Sequence, residues 1–170
     1  MGARVSQFLA VILTAIALIP SGAHLIALPV KVDMPEEPYF VVQQIYRGWA
    51  WLGIVIVAAI FANFASAMLA RHHPRQFWLS LAASLLIAAT LLIFFTWTYP
   101  ANQETGNWTS VTRDWEHLRL QWEYSHAVNA AIIFVAFLCS VGAALSMDDA
   151  RQPAMQAGTS KTSGSTARHA

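Results

Sequence analysis

The sequence predicts an all-α protein, a four-helix transmembrane bundle with an outer-side cap formed by its longer loops. Two observations predict it. Asp, Glu, Lys and Arg make up only 11 % of the 170 residues while apolar residues make up 56 %, against about 25 % charged in an ordinary globular chain. The few charges also leave long gaps between Arg4 and Lys31, Arg47 and Arg71, Arg75 and Glu104, and Glu123 and Asp148. These gaps hold 26, 23, 28 and 24 residues. About 20 apolar residues cross a bilayer, and in lipid such a segment satisfies its backbone polar groups only as a helix. A water-soluble fold, a disulfide-stapled secreted domain and a nucleic-acid binder are set aside. The lipid bilayer is the first partner.

The first span covers about 5–28 and ends at Pro29. Its start, Arg4 followed by an apolar run and Pro20-Ser-Gly-Ala23, has the layout of a cleavable signal peptide. Apolar character continues through Leu25, Ile26 and Leu28, as an uncleaved span requires. The second span follows Met34-Pro-Glu-Glu-Pro38 and covers about 41–70. Its small residues Gly53, Ala58, Ala62, Ser66 and Ala70 allow close helix approach, within the bundle or between copies of it. The third span covers about 76–99, closed by Pro100, and the fourth about 119–147, its first turns polar. The membrane domain is therefore 1–147. Residues 148–170 are small and polar, with nothing to bury, and a disordered tail is expected. The single Cys139 excludes an intrachain disulfide and reads as inert packing.

Charge predicts orientation, because short loops rich in Lys and Arg stay in the cytoplasm. The turn Arg71-His-His-Pro-Arg75 and both termini together carry a net +4, and the two longer loops a net −3. Both termini are expected in the cytoplasm of a cell with an inner membrane. His72 and His73 then read as solvated headgroup contacts. Asn107-Trp-Thr109 matches a glycosylation triplet on the outer side.

Polar residues gather at that outer side. Six of the seven tryptophans, Trp49, Trp51, Trp97, Trp108, Trp115 and Trp122, fall there. A membrane belt would populate both interfaces, so a folded cap or aromatic-lined pocket is expected beside the alternative of a Trp-rich surface loop. On the fourth helix, Trp115, Arg119, Trp122, His126 and Asn129 fall within an arc of about 80°, with Glu123 beside it. His24 lies at a similar depth on helix one. Arg47 stands at the mouth of helix two, and Asn102 follows helix three.

Polar side chains at that depth face the bundle interior and mark working sites. His126, Arg119 and Glu123 are the candidate catalytic groups. Trp115, Trp122, Asn102, Arg47, His24 and Asn129 are the candidate ligand contacts. A histidine is an acid or base suited to neutral pH, and an arginine a partner for an enolate or phenolate. The competing interpretation is an interhelical network in which Arg47 or Arg119 neutralises Glu123 and locks the bundle.

Glu123-Tyr-Ser-His126 has the spacing of a di-iron ligand pair, yet the second such motif and the further Glu residues are missing from the spans. No metal or other cofactor is predicted. A haem or mononuclear metal held through His24 and His126 is the remaining alternative.

Three segments together resemble one family. They are Val41-Val-Gln-Gln-Ile-Tyr-Arg-Gly-Trp49, Pro100-x-Asn102, and Trp115-x-x-Leu-Arg119-x-x-Trp-Glu-x-x-His126. Across nearly the whole chain outside the tail, the sequence resembles the small four-span membrane proteins grouped with the anthrone oxygenases. The resemblance implies a bacterial-type inner-membrane protein, and its characterised members oxidise polycyclic anthrones without a classical cofactor. Asn102, Trp115, Arg119 and His126 match the family's polar pattern. Two functions are expected from this: binding or oxidation of a flat apolar molecule, aromatic or quinone-like, or a non-catalytic membrane subunit or scaffold. A homo-oligomer or a membrane-complex partner is compatible with either.

Overall fold

The computed structural model describes residues 2–149; the expected tail lies outside the described residues from 150 onward. Helix α1 is Gly2–Lys31, α2 Glu36–Gln43, α3 Gly53–Leu69, α4 Pro74–Ile93, α5 Tyr99–Glu104 and α6 Trp115–Asp149. Short 3-10 turns, Gln44–Tyr46 and Trp49–Leu52, lie between α2 and α3, and a π turn, Phe94–Thr98, joins α4 to α5. Among the described residues the architecture is all-α, and it contains four candidate membrane spans: Gly2–Lys31, Trp49–Leu69, Pro74–Glu104 and Trp115–Met147. The molecule is a multi-pass membrane protein.

The main packing pairs are α1 with α6, α6 with α4, α4 with α3, and α3 with α1. Each span thus packs against its neighbour in sequence and the last closes on the first, as short connections between antiparallel helices require. One end of the bundle carries the tight turn at 70–73; the other carries α2 and the loop at 105–114. These are called the turn end and the loop end below.

Several boundaries differ from the sequence reading, each for a local reason. Helix α1 runs through Pro29 to Lys31, because a proline near a helix end removes one backbone bond without stopping the chain. Residues 41–48 stand outside the second span. Pro35 and Pro38 suit the start of α2, where amides lack helical partners, and Glu36 and Glu37 favour the positive end of its dipole. Gly48 then takes φ +89°, a left-handed turn that redirects the chain into Trp49.

Pro100 does not close the third helix either. Having no N–H, it cannot donate to the carbonyl of Thr96, and the ladder widens into the π turn just before it, with the Tyr99 amide bonding the Phe94 carbonyl. Helix α6 begins at Trp115 and has 35 residues, about 50 Å at 1.5 Å each, so it outruns a hydrocarbon core of about 30 Å.

An apolar core of Ala59, Ala83, Ile87 and Ala136 fills mid-bundle. A second core, Tyr39, Ala101, Trp108, Leu118 and Trp122, is the cap at the loop end. The buried face of α3 is Ala59, Asn63, Ser66 and Ala67, and Ala70 is buried at its end. Ala58 and Ala62 from the small-residue series are only half-buried.

Candidate functional site

The loop end buries an ion pair that the sequence did not announce. Lys31, the last residue of α1, lies 2.6 Å from Glu123 of α6, and the two are only 2 % and 1 % exposed. The Lys31 ammonium sits 4.6 Å from the ring centres of both Tyr46 and Trp122, and 5.7 Å from that of Tyr39. Ring faces carry negative charge density and attract a desolvated cation. The expected partners of Glu123, Arg47 and Arg119, are displaced by a lysine from the loop-end terminus of α1.

Glu123 is bonded on one side. The Tyr39 hydroxyl donates to its Oε1 at 3.0 Å, and the Gln43 amide donates to the Tyr39 oxygen and, at 3.5 Å, to the same Oε1. Its Oε2 is buried and has no hydrogen-bond partner in the protein, as are Gln43 Oε1, His24 Nδ1 and Asn129 Oδ1. Burial raises the Tyr39 phenol well above its ordinary range, and the Glu123 carboxylate adds to this. Tyr46, in the 3-10 turn, is pushed up to about 12 by the same two causes, burial first.

Two turns from Lys31, on the same face of α1, lies His24. Its ring stacks on His126 of α6, with centres 4.0 Å apart and planes 21° from parallel. Trp122 meets both rings edge-on, at 4.9 Å from His24 and 4.2 Å from His126. Tyr46 and Trp49 close the far side of His24, at 4.3 and 5.7 Å. His24, Trp122, Glu123 and His126 therefore come together with Lys31. Asn129 is buried on the α6 stripe, one turn deeper.

The other candidates serve the cap. Asn102 Oδ1 accepts from the indole N–H groups of Trp108, at 3.1 Å, and Trp122, at 2.8 Å. One carboxamide thus satisfies two buried donors and ties α5 to α6. Arg119 donates to the Met34 carbonyl at 2.5 Å and lies over the rings of Trp115 and Tyr39, at 4.7 and 5.6 Å. It clamps the α1–α2 connection from above the ion pair. Arg47 is not brought in. It is exposed, bonds Gln44 at 2.7 Å, and lines a surface cleft of about 510 Å³ with Glu36, Glu37, Phe40 and Trp108.

Of the tryptophans expected at this end, Trp108 and Trp122 are buried and Trp49 and Trp115 half-buried, whereas Trp51 is 76 % and Trp97 49 % exposed. The buried pair belongs to the cap, and Trp51 and Trp97 lie on the outer surface of the bundle. Trp108 is held with φ +62°, in a left-handed turn with Gly106 and Asn107. That conformation is unfavourable for a bulky residue, and the Asn102 bond and cap packing hold it there.

Sequence reasoning missed Lys31, Tyr39, Gln43 and Tyr46 as site residues; Trp108 was among the tryptophans from which a cap was expected. Lys31 carried the one available signal: its spacing of seven residues from His24 places it on the same helical face. As for metals, no group of three His, Cys, Asp or Glu side chains is placed to share an ion among the described residues. Axial imidazoles approach a haem iron edge-on from opposite sides; His24 and His126 lie face to face and do not fit that geometry.

Fold and site together define a four-span membrane protein with a buried, charged and aromatic cluster at one end of its bundle. Compared with protein-family models, with curated proteins and with solved structures, the chain has no match.

Proposed function

We propose that this is an inner-membrane protein, both termini cytoplasmic, whose loop end faces outward and binds a flat aromatic molecule to exchange a proton with it and oxidise it. The +4 to −3 charge asymmetry supports the orientation. The observation that carries the function is the Lys31–Glu123 pair, enclosed by aromatic rings beside the stacked His24 and His126. Removing two charges from water costs several kcal/mol per ion, and apolar residues would hold the helices as well. Ionisable groups kept at such a site are retained for chemistry.

The roles follow from position. The imidazole of His126 takes a proton from the ligand, and the Lys31 ammonium, 4.6 Å from the Trp122 ring centre, stabilises the resulting oxyanion. Trp122 and Trp115 offer ring faces, Asn102 sets Trp122, and Asn129 and Glu123 supply free acceptors. For an anthrone, the class implied by the family resemblance, the ring methylene loses its proton and the delocalised anion is oxidised by dioxygen. One oxygen atom becomes the new carbonyl and the other leaves as water with the two methylene hydrogens, so anthrone and dioxygen give anthraquinone and water.

A second reading has its own observation. His24 and His126 fill each other's faces, and Asn102 and Arg119 serve cap bonds, as a purely structural network would. One experiment separates the two. Protein purified in mild detergent is given anthrone and oxygen, and anthraquinone absorbance is followed. Turnover that His126→Gln lowers more than 100-fold, at an unchanged unfolding temperature, supports the site, because glutamine bonds but does not carry a proton at neutral pH. Full turnover in His126→Gln, or none in the parent protein, leaves the network.

A further inference from the structure

The stacked histidines and the ion pair line neither the cleft at Arg47 nor a second hollow on the opposite flank of α6. Between the π turn and α6 lies a groove of about 700 Å³, within the range of small-molecule pockets. Trp97 of the π turn forms part of its wall. The Trp97 carbonyl accepts from Gln121 Nε2 at 2.8 Å, and the Thr98 and Ser125 hydroxyls bond at 2.7 Å. These two bonds bridge the third and fourth spans beside the groove. Widened turns of this kind recur at functional sites.

We infer that this groove is the docking site at which a flat, membrane-dissolved aromatic with a carbonyl or hydroxyl oxygen waits before reaching the buried cluster. The inference rests on the ligand class proposed above. Trp97 and Tyr124, each about half exposed, line the groove, together with Leu120 and Val128. Its polar groups are His117, Gln121 and Ser125. His117 and Gln121 lie toward the loop end, where a bilayer gives way to water, and Val128 lies deeper. An amphiphile with an oxygen at one edge of a planar apolar body matches that division, its oxygen facing His117 and Gln121 and its body lying over Trp97, Tyr124 and Val128. The groove also adjoins the site. Ser125, which lines it, precedes His126 and donates to the Trp122 carbonyl at 2.8 Å, with Trp122 and Asn129 as its neighbours three and four residues away along the helix.

The test uses the full chain in phosphatidylcholine–phosphatidylglycerol nanodiscs, with 1,4-naphthoquinone as probe and an azido derivative for photolabelling. Saturable quenching of tryptophan fluorescence by naphthoquinone is expected, with label on the groove residues Ile93, Trp97, His117, Gln121, Tyr124 and Val128 that excess naphthoquinone competes away. Val128→Phe, which fills the groove, should weaken the apparent affinity at least tenfold. Tyr124→Ala, at a position exposed enough to leave the fold intact, should weaken it at least threefold. Saturable binding that neither variant alters, with label at 36–47 and 108–111 or confined to the buried cluster, overturns the groove and leaves the proposed function standing. Absence of saturable binding overturns the ligand class itself, and the groove with it.

Discussion

At the turn end, neutral hydrogen bonds between small or uncharged side chains join the spans. Gln7 of α1 donates to the Ser140 carbonyl of α6 at 2.9 Å and accepts from Ser80 of α4 at 3.2 Å. Ser6 pairs with Ser66 at 2.9 Å, and Asn63 of α3 reaches Thr14 of α1 at 3.0 Å. At the loop end the same helices are joined through Lys31, Glu123, two histidines and a shell of aromatic rings. Both ends bury polar groups; among the described residues the buried charged side chains, Lys31, Arg119 and Glu123, lie at the loop end. Bonds of the first kind contribute about 0.6 kcal/mol each in membrane bundles, under about 2 at most, and need little desolvation. The loop end therefore carries buried ionisable groups that adhesion between helices does not require, and that difference is what the functional proposal builds on.

The sharpest way to break this comparison is to remove one partner of the ion pair. Glu123→Ala leaves Lys31 buried without its counter-charge and also orphans the Tyr39 hydroxyl, so a loss of about 3–5 kcal/mol is expected. Thermal unfolding in detergent measures it. The uncharged double variant Lys31→Met with Glu123→Gln should recover most of that loss, since the cost lies in the unpaired charge. If both variants lose equally, the pair is ordinary packing.

Asn102→Ala comes next. Two buried indole N–H groups lose their only acceptor, at about 1–3 kcal/mol in total when relaxation or water partly replaces it. Because both tryptophans belong to the cap, their fluorescence should shift as the spans stay folded by circular dichroism. An unchanged spectrum would mean that the cap is not held through Asn102.

Gln7→Leu probes the other end at nearly constant volume. It removes two interhelical bonds, and about 1 kcal/mol is expected. A loss as large as that of Glu123→Ala would erase the contrast between the ends.

The smallest effect near neutrality concerns the cap phenols. Tyr46, at about 12 when folded against an ordinary value of 10, and Tyr39, raised further, hold their protons more tightly folded than unfolded. Stability from this source is level below pH 10 and falls as pH climbs through the folded value. Phenolate absorbance of Tyr46 should therefore rise near pH 12, and Tyr46→Phe should remove that part of the alkaline signal. A rise at pH 10 would place Tyr46 in open solvent.

Much of the candidate site was legible along one helix. A regular helix carries its own angular ruler, so the arc through Trp115, Arg119, Trp122, His126 and Asn129 could be drawn from spacing alone; Trp122 and His126 do meet His24, and Glu123 beside them meets Lys31. Arg47 lies outside the buried cluster because Gly48, in its left-handed turn, separates α2 and the turn at 44–46 from the second span. The third helix continued past Pro100 because a π turn, invisible to composition, absorbed the missing donor.

The sequence by itself determined four spans and their helical state, because lipid offers backbone groups no other partner and segment length with apolarity is then sufficient. Tertiary structure alone decided which cation meets Glu123. Lys31 and Glu123 are far apart in the chain, and their meeting depends on the rotation and register of α1 against α6. Those are set by packing summed over the whole interface, which no local pattern encodes. The same holds for Tyr39 and Trp108, cap residues whose places exist only once the ends of four helices have come together.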